Sequence, residues 1–132
     1  MADTTNTIRT IGRRKTAAAR IRLSKGKGAI TINEKDVDVF FPIAYWKGKV
    51  VSPLEAVGKA NDFDISIRVA GGGVNAQAEA VRHGISRALV EFDEGLKPVL
   101  KSLGFLTRDS RARERKKFGR HRARRGHQWR KR

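Results

Sequence analysis

The chain has 132 residues, 30 of them Lys or Arg against 13 Asp or Glu, for a formal net charge of +17. That length fits one domain with a modest core plus a tail, and the lack of cysteine excludes disulfides, thiolate metal sites and a cysteine nucleophile. The first twenty residues hold no apolar signal core, and no stretch approaches the roughly 18 apolar residues of a membrane span, so a soluble, intracellular protein is expected.

Gly12-Arg13-Arg14-Lys15 places three successive cations at the start of a strand. From Thr16 to Ser24 the pattern has period two. Ala17, Ala19, Ile21 and Leu23 share one face, and Ala18, Arg20, Arg22 and Ser24 the other, which predicts a half-buried strand. Lys25-Gly26-Lys27-Gly28 reads as a turn, and Ala29 to Ile32 as the returning strand of a hairpin. Asn33 is the expected cap of a short helix in which Val37, Phe40 and Phe41 share a face, ended by Pro42. Ser52-Pro53-Leu54-Glu55 has the form of a capping box, so a helix is expected to start there and to stop at Gly58. Phe63, Ile65, Ile67 and Val69 alternate with Asp64, Ser66 and Arg68 in a second half-buried strand. After Gly71-Gly72-Gly73, the residues Ala78, Val81, Ile85, Leu89 and Phe92 recur at helical spacing, with Arg82, Ser86 and Arg87 off the stripe. A last short helix spans Pro98 to Leu103 and stops at Gly104. The elements describe a small α/β domain, strands packed on helices, over residues 1–106.

Residues 107–132 differ in kind. They hold 13 cations, ten of them arginine, and only Asp109 and Glu114 as acids. Leu106 is the last aliphatic residue. So few apolar groups cannot offset the entropy of ordering the backbone, and dense like charge repels itself. Such a segment orders against a dense array of negative charge, of which nucleic-acid phosphate is the commonest. Arginine pairs bidentately with phosphate, and the Phe118 and Trp129 rings suit base stacking. RNA is favoured over DNA because no recognition helix, zinc finger or zipper appears.

Other chemistries find little support. The triple glycine precedes Val74-Asn75, not the Lys-Ser/Thr pair or GxGxxG spacing of a nucleotide loop, so RNA-backbone contact is the better reading of it. His83, His121 and His127 form no i, i+4 pair, and two of them lie among the tail cations, so no metal site is expected. No serine sits in a nucleophile elbow and no acid pair converges. A basic RNA-modifying enzyme and a nucleoid DNA-binding protein are the rival readings.

Four stretches carry a resemblance. They are Gly12 to Arg20; Gly71-Gly72-Gly73 through Gln77-Ala78 to Arg82-His83-Gly84-Ile85-Ser86-Arg87-Ala88-Leu89; Leu106-Thr107-Arg108-Asp109 with Glu114 to Gly119; and Ala123-Arg124-Arg125 with Lys131-Arg132. In this order and spacing they resemble the family of ribosomal small-subunit protein nine, bacterial type, from about Gly12 to Arg132. That family usually has glycine where Ala76 and Glu79 stand, and Phe or Tyr, then Ser, where Trp129 and Arg130 stand.

The resemblance implies a ribosomal-S5-domain-2-like α+β fold with a long basic C-terminal extension, in the head of the small subunit. It implies a structural, non-enzymatic protein of the cytoplasmic ribosome, without cofactor, small-molecule substrate or membrane, beside neighbouring small-subunit ribosomal proteins. The residues expected on ribosomal RNA are Arg13, Arg14, Lys15, Gly71, Gly72, Gly73, Gln77, Arg82, His83 and Arg87 of the body. In the tail they are Arg108, Arg111, Arg115, Lys116, Lys117, Arg120, Arg122, Arg124 and Arg125. Lys131 and Arg132 are implied to meet the anticodon stem-loop of peptidyl-site transfer RNA.

Overall fold

Ala17, Ala19, Ile21 and Leu23, each at most 1% exposed, line the inner face of a nine-residue strand. This computed structural model describes residues 7–126, 128 and 129. In chain order the strands are β1 (Ile8–Arg14), β2 (Ala17–Lys25), β3 (Ile30–Ile32), β4 (Lys35–Asp36) and β5 (Phe63–Ala70). The helices are α1 (Val37–Phe40), α2 (Ala44–Ala56), α3 (Val74–Phe92) and α4 (Lys97–Ser102). The five strands form one mixed sheet in the order β1-β2-β5-β3-β4, with helices packed on one face, consistent with a ribosomal-S5-domain-2-like fold.

The alternation predicted for β2 and β5 is present: Phe63, Ile65, Ile67 and Val69 are buried opposite the β2 set. Their pairing differs from expectation. Ala29 to Ile32 does not return against β2 as a hairpin; β5 lies between, antiparallel to β2 and parallel to β3. The glycine-rich loop crosses over the end of β5, held by Asp64, whose carboxylate accepts the Lys27 and Ala29 amides at 3.0 and 3.1 Å. Those backbone hydrogen bonds hold the Asp64 carboxyl below its ordinary range. The actual hairpin joins β1 to β2 through Lys15 and Thr16, with Lys15 in the left-handed region at φ 53°.

Two helix starts also move. Asn33 does not cap α1; Asp36 occupies that place, and Asn33, at φ 50°, sits in the β3–β4 turn. Its side-chain amide gives and takes hydrogen bonds with the Val69 backbone at 3.0 and 2.9 Å, fastening the turn to the end of β5. Helix α2 starts at Ala44, eight residues before the apparent capping box, and Pro53 lies inside it. Proline there leaves the Lys49 carbonyl without its helical amide. The Ser52 hydroxyl donates to that carbonyl at 2.8 Å, so the Ser-Pro pair repairs a helix interior instead of opening a helix. The end at Gly58 is as expected. With φ at 69°, Gly58 donates to Glu55 and Lys59 to Leu54, a Schellman closure.

Helix α3 lies across β1 and β2, and two glycines bring it close. A Cβ at Gly12 would sit 1.9 Å from the Ala80 carbonyl oxygen, and one at Gly84 would sit 2.5 Å from Ile21 Cγ1. The Thr10 hydroxyl locks the contact by donating to the Gly84 carbonyl at 2.8 Å. Ala78, Val81, Ile85 and Leu89 complete the core from the α3 side. Ser86, expected off the stripe, is fully buried and is satisfied by the Arg82 carbonyl within its own helix. Helix α4 closes as predicted at Gly104, with Phe105 donating back to Leu100.

Candidate nucleic-acid interface

β1 is an edge strand, and α3 passes beneath it. The chain after α4 returns to the same edge. These three segments bring Arg13, His83, Arg87 and Arg108 around one shallow groove of about 430 Å³ floored by Ile11. Arg87 donates to the Ile11 carbonyl at 2.5 Å, which covers part of the exposed strand edge. Arg82 lies over the Phe105 ring, 5.3 Å from its centroid. Sequence reasoning named these cations singly, from stretches up to 95 residues apart; the fold places them side by side.

His83 is the groove's half-buried member. Burial first, then the Arg87 charge, pushes its imidazole below the ordinary 6.5, against the opposing pull of a backbone hydrogen bond at Leu106. These surroundings favour its neutral form. Its buried Nδ1 has no hydrogen-bond partner among the described residues.

Arg14 has a different setting. Alternation along β1 turns it to the helix face, where its side chain is only 12% exposed. It donates to Glu79 at 2.7 Å and to the Arg111 carbonyl at 2.6 Å, and lies 3.3 Å from Asp109. Lys49 also reaches Glu79, at 3.2 Å, and packs over the Tyr45 ring. Burial alone would raise the Glu79 carboxyl; the hydrogen bonds from Arg14 and Lys49 outweigh it and hold the group below its ordinary range. Hydrogen bonds from Arg111, through its side chain and backbone, push Asp109 lower still. Arg14 thus ties the start of the tail to the body. Sequence reasoning assigned no such role to Glu79 and Asp109, because the partners are distant in the chain and nothing local marks them.

The triple glycine divides into two parts. Gly71 and Gly72 have positive φ, at 79° and 67°, and press on the β1–β2 hairpin. A Cβ on Gly71 would come 2.6 Å from the Thr16 carbonyl oxygen. Gly73 caps α3 without a side-chain hydrogen bond, and an added Cβ there meets nothing within 4 Å. The turn therefore needs its first two glycines for shape, while the third leaves the first amides of α3 open. Gln77 donates to the Gly71 carbonyl and holds the turn, and exposed Lys15 stands on the hairpin against which it rests.

From residue 107 to 126 the chain has no helix or strand, and nearly every residue is exposed, Phe118 completely. Local order comes from its acids. Asp109 accepts the Arg111 fork at 2.7 Å, and Glu114 pairs with Lys117 and Arg124 at 2.7 and 2.9 Å. Arg115, Lys116 and Arg122 line a concavity of about 670 Å³ with Arg113 and His121. Arg120 donates to the Arg124 carbonyl, while Arg125 is exposed and Trp129 is 80% exposed. Lys131 and Arg132, the implied transfer-RNA contacts, lie outside the described residues, as do His127 and Arg130.

No metal-holding cluster of His, Cys, Asp or Glu occurs among the described residues, and no described helix is long and apolar enough to cross a membrane. A sequence model of the ribosomal protein S9/S16 family matches residues 12–132. The matched span begins at Gly12, where β1 meets α3, and includes the cations and the histidine of the groove, the glycine turn and all the tail cations. The chain belongs to the ribosomal protein S9/S16 family, and so to the RNA-binding structural proteins of the ribosome, a class generally without enzymatic activity.

Proposed function

We propose that this member of the S9/S16 family is the small-subunit protein of the bacterial type, with a body that seats on folded ribosomal RNA and a tail that extends along it. One observation carries the reading: Arg13, Arg87 and Arg108, from three distant segments, meet at a strand edge where the basic tail begins. Convergent cations beside an uncompensated basic chain form a continuous phosphate-seeking track. Arg82, His83 and Lys15 extend the track on the body, and Gly73 leaves open amides at the start of α3. The tail arginines and lysines from Arg108 to Arg125 continue it, and Phe118 offers a ring to unstacked bases. Arg14, Gly71, Gly72 and Gln77 act by holding the turn and tail in place.

At the far end, Lys131 and Arg132 reach transfer RNA in the peptidyl site. A charge-assisted contact or two is worth about 1–3 kcal/mol, small beside the many that seat the protein. Trimming only Lys131 and Arg132 therefore leaves assembly intact and speeds dissociation of peptidyl-site transfer RNA from purified subunits. Equal dissociation rates at equal incorporation would remove that role. Failure of the full chain to enter small subunits at all would remove the whole reading.

A further inference from the structure

The helices cover one face of the sheet, and no described element covers the other. Its side chains follow from the strand register. Arg9, Ile11 and Arg13 of β1 stand opposite Arg22, Arg20 and Ala18 of β2, and Arg20 stands opposite Arg68 of β5. All five arginines are exposed. Arg9, Arg13, Arg20 and Arg22 make no ion pair or side-chain hydrogen bond among the described residues, and Arg68 has only exposed Glu34, at 3.2 Å. Arg9–Arg22 and Arg20–Arg68 are therefore like charges directly across from each other on neighbouring strands.

Such pairs oppose sheet formation. The sheet is held from its other side, by the apolar residues of β2 and β5 under α3. Apart from the exposed Arg68–Glu34 pair, no ion pair or side-chain hydrogen bond among the described residues uses these arginines. Asp64, an acid on the same face, already accepts amides of the β2–β3 loop. The face thus carries a cluster of cations whose charge is left unbalanced.

From this geometry, and resting on the ribosomal reading above, we infer that the open sheet face docks on the sugar-phosphate backbone of double-helical RNA, adjoining the groove at Ile11 and Arg13 and apart from the tail. The surface carries no aromatic ring, so it offers no platform for splayed single-stranded bases. It offers arginine forks and the exposed Ser66 and Thr31 hydroxyls, which suit phosphates and 2′-hydroxyls across the wide, shallow minor groove of A-form RNA. Arg9 to Arg13 spans about 14 Å along β1, and β1 to β5 about 10 Å across the sheet, a patch that meets several phosphates at once.

The test uses the full chain, a 20-base-pair RNA duplex and single-stranded RNA of the same length, with affinity measured by fluorescence anisotropy across a salt series. The variant is R9Q/R20Q/R22Q. Its log–log salt slope on the duplex should fall by about 2–3, near one unit per lost phosphate contact. Its single-strand slope should change much less. R9K/R20K/R22K should keep most of the duplex slope, and the glutamine variant should melt no lower than the parent, because it relieves repulsion. An unchanged duplex slope would overturn the inference, while normal entry of the parent chain into small subunits would leave the ribosomal reading standing. Loss of poly-glutamate binding with duplex binding intact would give the face to an acidic protein. A clearly lower melting point for the glutamine variant would make the arginines structural.

Discussion

The body and the tail carry charge in opposite ways. In the body, apolar residues decide the backbone, and the backbone then decides where each cation stands. Arg13 and Arg14 are neighbours in sequence, yet one faces the exposed strand edge and the other is bound to Glu79 beneath it. In the tail from 107 to 126 no residue is buried, and Asp109 and Glu114 are the only acids to gather the arginines around them. Position is thus imposed on the body's cations by a core, and must be imposed on the tail's cations by whatever they bind.

The sharpest way to break this contrast is to remove the tail. If about six of its cations contact phosphate, deleting 107–132 flattens the log–log salt slope of RNA binding by about 4–5. The truncated body should still unfold cooperatively on heating, since its core lies entirely before Leu106. A gradual melt would show that the body depends on its tail.

The converse experiment damages the body alone. Gly12→Ala drives a methyl into the Ala80 carbonyl and the Gly84 backbone, neither of which can rotate away. The cost should be on the order of 3 kcal/mol, the upper end for overpacking, lowering the thermal midpoint by well over about 10 °C. Salt-sensitive RNA binding by the tail should survive this substitution, and its disappearance would mean that the tail acts only when held by the body.

Glu79→Gln loosens the junction between the two regions. It removes the negative charge that Arg14 and Lys49 share and one of the two oxygens that accept from them, at a cost of about 1 kcal/mol for partly exposed pairs. The pH dependence has a definite sign. The folded carboxyl titrates below its ordinary 4.5, so its contribution is complete above that value and is lost as pH falls through the folded value. Denaturant titrations of parent and variant should therefore converge as pH falls below 4.5. Curves that stay parallel throughout the acid range would remove the ion pair from the account.

The smallest effect concerns His83. Because the folded imidazole titrates below 6.5, the stability that rests on its neutral form is complete above 6.5 and declines as pH falls toward the folded value. His83→Gln should flatten this part of the stability profile between pH 7.5 and 5.5, a difference readable by urea denaturation. An equal decline in both proteins would place the titration elsewhere.

Much of the body is legible in its sequence, because β2, β5 and α3 each bury a clean periodic face. Strand pairing is not. Period two marks a strand but names no partner, so β3 reads as a hairpin arm although β5 intervenes. β1 escapes notice because its inner face is Ile8, Thr10, Gly12 and Arg14, a row where close helix approach replaces apolar bulk. Ser52-Pro53-Leu54-Glu55 misleads because the Ser hydroxyl that caps an amide can also repair a carbonyl. At the interface, charge density is visible residue by residue, but the meeting of Arg13, Arg87 and Arg108 depends on tertiary contacts. The open-face arginines did have a signal. In β2 the outward half of the alternation includes Arg20 and Arg22, which the burial pattern explains only as exposed positions.

The central claim is that ribosomal RNA supplies the negative charge that this chain lacks. A density map of the small subunit containing this protein tests it directly. The account predicts phosphate oxygens within hydrogen-bond reach of Arg13, Arg87 and Arg108, and RNA along the tail from Arg108 to Arg125. A groove facing solvent or another protein, with the tail away from RNA, would contradict it.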